Sequence, residues 1–131
     1  MGSSIPGLLE GTPVHNDGFL FGFSIVSGQS VSVGNVVKIG GAVAIEPVGA
    51  ATDFPLGVAY TSGQLSVDVG VAMRGILDVV VDNTTTAGDY LVASTTAGEM
   101  HDNSTTAPSY GARVIALSSG AASSVVQALF L

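Results

Sequence analysis

The chain is organised as a register of short apolar runs cut by Gly and Asx turns, with almost no charge between them. Val79–Val81, Tyr90–Ala93 and Val114–Leu117 are typical runs, and Gly88-Asp89 and Gly120 are typical cuts. Runs this short suit strands, because a strand completes a buried face in about four to eight residues whereas a helix needs about ten or more. Repeated along the chain, they predict an all-β fold: a single-domain β-sandwich or small β-barrel of about eight to ten short strands. No segment carries a convincing helical period.

Residues 1–18 depart from that register. Pro6, Gly7, Gly11, Pro13, Asn16 and Gly18 punctuate a stretch whose apolar residues Ile5, Leu8, Leu9 and Val14 follow no alternation. The reading is an extended N-terminal arm over 1–18 ahead of a β domain over 19–131. Its apolar residues need cover, either from this domain's own sheet or from a neighbouring subunit, and Ile5, Pro6, Leu8, Leu9 and Val14 are the candidate contacts.

From Phe19 the β signal is nearly continuous. Phe19, Phe21, Phe23 and Ile25 alternate with Leu20, Gly22 and Ser24, which predicts a strand with an aromatic core face. Val31-Ser32-Val33, Val36–Ile39 and Ala42–Ile45 follow across Gly34-Asn35 and Gly40-Gly41. Leu56–Tyr60 and Leu65–Val71 flank a connection of hairpin length, Thr61-Ser62-Gly63-Gln64, and Gly75–Val81 comes next. Thr85-Thr86-Ala87-Gly88-Asp89-Tyr90 then recurs as Thr95-Thr96-Ala97-Gly98-Glu99-Met100, which reads as two turns of like chemistry. Arg113–Leu117 and Ser124–Leu131 close the chain.

Composition narrows the function. Apolar residues make up 47% and charged residues 10%, against about 25% charged in an average soluble domain. The mean hydropathy of +0.57 raises the question of a membrane. The uncharged stretch Gly18 to Val37 is nevertheless interrupted by Ser24, Ser27, Gln29, Ser30, Ser32 and Asn35, leaving no apolar span near the ~20 residues of a membrane helix. A secretory leader is not expected, since Met1-Gly2-Ser3-Ser4 has no basic region and Pro6 and Glu10 interrupt any apolar one. Lys38, Arg74 and Arg113 stand against ten acidic residues, a net charge of −7 that opposes binding to nucleic acid. With no cysteine, disulfides and thiolate metal sites are excluded. High hydropathy with so little charge points to apolar surface covered by another copy or a partner.

Few residues in the sequence are placed for chemistry. His15 and His101 are the two candidate imidazole bases, each in an expected loop without a motif, and no Gly-x-Ser-x-Gly elbow occurs. Asp68, Asp78 and Asp82 could share a face if their strands pair, but solvated strand and turn positions explain them more simply. Asp82-Asn83-Thr84 and His101-Asp102-Asn103-Ser104 lack the spacing of a calcium loop and read as Asx turns. Asn83-Thr84-Thr85 and Asn103-Ser104-Thr105 fit a short, common glycosylation sequon. No glycine loop leads into a helix to cradle phosphate. No catalytic residue, metal or cofactor is expected.

The order of the cuts is itself informative. Gly34-Asn35-Val36-Val37, Gly57-Val58-Ala59, Val67-Asp68-Val69 and Gly75-Ile76-Leu77-Asp78-Val79 are followed by Ala87-Gly88-Asp89-Tyr90-Leu91-Val92, Gly98 and Gly111-Ala112-Arg113-Val114. Over residues about 27 to 131 this series resembles the capsid decoration, or cement, proteins of tailed bacteriophages. The resemblance implies a β body that trimerises on the outer face of a virion head, contacts the major capsid protein and stabilises the shell. Residues 1–18 have no counterpart in the pattern. Two other readings stay open: a host-glycan receptor or fibre-tip module using the Thr/Asn-rich loops, and a minor shell or tube subunit. A hydrolase built on the carboxylates is the weakest.

Overall fold

The structure, a computed structural model, describes residues 20–62 and 68–131. The arm residues Ile5, Pro6, Leu8, Leu9 and Val14, together with His15 and Phe19, lie outside the described residues. Ten strands are assigned, and no helix is found among the described residues. They are β1 (Leu20–Ile25), β2 (Val36–Gly41), β3 (Ala44–Pro47), β4 (Gly57–Ala59), β5 (Val69–Ala72), β6 (Gly75–Val80), β7 (Tyr90–Ala93), β8 (Met100–Asp102), β9 (Val114–Ala116) and β10 (Val125–Phe130). The all-β expectation holds.

The first five strands close a barrel in the order β1-β3-β2-β4-β5, and the last five form a sheet in the order β6-β10-β9-β7-β8. Strand β1 closes the barrel by lying antiparallel to β5 and parallel to β3. The free ends of the second sheet approach each other as well, through a parallel bridge between Val81 and Met100.

Two cores explain the uninterrupted apolar pairs in the sequence. Successive side chains of a strand point to opposite faces, so a strand packed on both faces needs apolar residues at every position. Val37, Ala59 and Val71 point into the barrel with Ile25, Val31, Ile45 and Val69. Their neighbours Val36, Val58 and Ala72 join a second core with Leu77, Val79, Leu91, Met100, Val126 and Phe130. One wall of the barrel is therefore also the floor of the sheet.

Three local expectations are corrected. The aromatic face of β1 is not uniformly core: burial rises along the strand from Phe21, 47% exposed, through half-buried Phe23 to Ile25 at 5%, because the strand begins beyond the packed part of the barrel. The second turn falls at Ala42-Val43 rather than Gly40-Gly41, since β2 runs on through a bulge between Ile39 and Gly41. Val31 to Val33 is not one of the named strands: Val31 is buried in the barrel and Val33 is exposed.

Candidate functional site

The polar residues first weighed for chemistry meet at one end of the second sheet. His101 lies in β8, not in a loop, and its Nδ1 is 2.7 Å from Asp82 Oδ1. The other carboxylate oxygen of Asp82 accepts the Ser94 hydroxyl, and Ser94 Oγ in turn accepts the Thr96 N–H at 2.8 Å. Ser94 is 1% exposed and its hydroxyl proton is committed to Asp82, so a Ser, a His and an Asp come together without forming a nucleophile and its base. The cluster ties the end of β6 to the hairpin of β7 and β8.

Beside it, the two Asx-rich segments bind each other. Asn83 Oδ1 accepts the Asp102 N–H at 2.8 Å, and Asn83 Nδ2 donates to the Asp102 carbonyl at 3.3 Å. The buried Asp102 carboxylate accepts Thr86 N–H at 3.0 Å and Ser104 N–H at 2.6 Å. A hydrogen bond from Asp89 to Asp102, aided by desolvation and like charge, raises the Asp89 carboxyl above its ordinary value of 3.8. Among the described residues no group of three or more His, Asp or Glu side chains could hold a metal ion. Asp68 is not brought to Asp78 and Asp82: β5 and β6 lie in different sheets, and Asp68 and Asp78 are both exposed.

A second polar feature joins the barrel to the sheet. Arg113, just before β9, donates from Nε to the Pro55 carbonyl at 3.1 Å and from Nη2 to the Leu56 and Met73 carbonyls at 2.7 Å each. Its Nη1 donates to the Leu131 carbonyl. The guanidinium lies 5.4 Å from the Phe54 ring centre and 5.5 Å from that of Phe130. Desolvation, then the nearby Arg74 charge, lowers its pKa from the ordinary guanidinium value. Loop 55–56, the β5–β6 link and the last strand are thus clipped together by one side chain.

What remains is surface, and among the described residues it holds a groove of about 490 Å³ between the two halves. Val33, Gly34, Val58, Ala59 and Tyr60 form the barrel wall; Ile76, Leu77, Asp78 and Gln127 form the sheet wall. Val33 and Ile76 are more than half exposed. On the outer face of the sheet, register aligns Ile76, Leu129, Ile115 and Tyr90 in one apolar row across β6, β10, β9 and β7. Such an arrangement can hold an apolar segment or a partner surface.

No family model matches the sequence, and no curated protein matches it by sequence. A solved structure does match the fold. It is the N base of the head fiber gp8.5 of bacteriophage phi29, at a TM-score of 0.65 and 16% identity, over 86% of this chain and 94% of that one. At that identity the likeness is one of fold.

Sequence reasoning missed the Asp82, Ser94 and His101 cluster, the Arg113 clip and the groove. No local signal marks them. Asp82 and His101 are 19 positions apart, and Arg113 is 58 and 40 positions from Pro55 and Met73; only the strand order brings them together.

Proposed function

We propose that this chain is a structural, non-enzymatic protein of a phage head that attaches to the outer face of the shell. The observation that carries the reading is the fold likeness to a phage head fiber base over nearly the whole of both chains. The series of Gly cuts that resembles head decoration proteins supports it from an independent direction. In this reading the protein binds the major capsid protein as a homotrimer and stabilises the shell, with Ile5, Pro6, Leu8, Leu9 and Val14 of the arm as contacts to shell or neighbour. Three arms acting together raise avidity by making the later contacts intramolecular. A net charge of −7 keeps unassembled copies apart.

Light scattering on the purified chain and co-sedimentation with expanded phage capsids test the proposal. A trimer that pellets with capsids is expected. A monomer that stays in the supernatant overturns it.

A further inference from the structure

The groove runs along a strand edge that has no partner among the described residues. Among the described residues strand β6 pairs only with β10, on one side, and antiparallel register decides which of its backbone groups that pairing uses. Gln127 turns its backbone toward β9: its carbonyl accepts Leu117 N–H, and its N–H donates to Ser118 Oγ. Its partner Asp78, and with it Ile76 and Val80, therefore turn N–H and C=O away from β10, toward the barrel side. No hydrogen bond reaches these groups among the described residues. Two residues further on, Asp82 N–H on the same side of the strand donates to the Met100 carbonyl at 2.9 Å, so this edge already accepts a strand where β8 meets it. Among the described residues it is open from Ile76 to Val80. An open edge flanked by exposed Ile76 is a template for an added strand.

We infer that the occupant is the chain's own N-terminal segment, residues 5–9, added in cis as an extra strand on β6 in the unassembled protein. Position supports this. Leu20 pairs with Ala72 and Ala72 with Val58, which lines the groove, so the described chain starts about 10 Å, two strand spacings, from the groove wall. The eleven steps from Leu9 to Leu20 span up to about 36 Å. Tethered that closely, the segment meets the groove at an effective concentration no second copy matches. Charge supports it too: Ser4 to Leu9 carries no charged side chain in a chain of net charge −7 and meets a groove whose one charge is Asp78. A β6 edge from a second copy, paired antiparallel about its centre, would set Asp78 against Asp78. Pro6, which has no N–H, fits if it faces away from β6; Ile5, Gly7 and Leu9 then pair with the edge.

Amide exchange of Ile76, Asp78 and Val80 in the full chain tests this, measured by NMR over a range of protein concentrations. Exchange at least about tenfold slower than in Gly7→Pro and Leu9→Ser chains, and independent of concentration, is expected. Fast exchange in the native chain overturns the inference, as does protection that both substitutions leave intact. Protection that grows with concentration overturns it in favour of a neighbour's segment. The readout is independent of capsid binding, so it fails separately from the proposed function.

Discussion

At the scale of single residues, the side chains that matter most satisfy backbone groups. Removing the Arg113 guanidinium strands the carbonyls of Pro55, Leu56 and Met73, each at about 1–3 kcal/mol where water cannot replace the donor. Arg113→Ala is expected to lower stability by about 3 kcal/mol in urea unfolding. Arg113→Lys, a point charge without the planar fork, should lose roughly half of that. Asp89 gives a pH-dependent counterpart. Its folded pKa is raised by Asp102, so its contribution is complete below the ordinary value of 3.8 and is lost as pH rises through the folded value. At pH 7 the two carboxylates oppose folding. Asp89→Asn should therefore raise the urea midpoint at pH 7 and leave it unchanged near pH 3.5, with the gain appearing between those limits. None of these roles was legible in the sequence. Arg113 looked like one of three scattered cations and His101 like a loop residue, because both act through partners that only folding supplies.

At the scale of elements, the repeated Thr-Thr-Ala-Gly turns are alike in conformation and unlike in duty. In each, the residue after the glycine donates its N–H to the second Thr, Asp89 to Thr86 and Glu99 to Thr96, both at 3.1 Å. Both glycines have positive φ, +95° at Gly88 and +78° at Gly98. A Cβ on Gly88 would meet nothing within 4 Å, whereas one on Gly98 would stand 2.4 Å from Asn35 Nδ2. Gly98 also docks the turn on the barrel, accepting Val36 N–H and donating to the Val48 carbonyl, both at 2.9 Å. Gly88→Ala should cost about 1 kcal/mol, the conformational term alone, and Gly98→Ala should exceed it by about 1–2 kcal/mol. Equal losses in thermal unfolding would mean that the Asn35 side chain swings clear. The strand runs and both turns were readable because period and turn chemistry are local. The division into barrel and sheet was not, since Val36-Val37 and Val58-Ala59 look the same whichever core each side chain enters.

At the scale of the molecule, the shared core makes the halves interdependent. Val36, Val48, Val58 and Ala72 of the barrel half pack with Leu91, Met100 and Phe130 of the sheet. Unfolding should be one cooperative transition, with calorimetric and van't Hoff enthalpies equal, and Val58→Ala should shift it without splitting it. Two resolved transitions would show that each half stands alone. The way β1 closes the barrel has a mechanical consequence. Its ladders to β3 and β5 run across the strand axis, and the chain ahead of Leu20 continues from the strand's end. Tension pulled along that axis loads both ladders in shear, all bonds together, instead of peeling them one at a time. A protein held by its N-terminal segment would thus be gripped through the strand best placed to resist force.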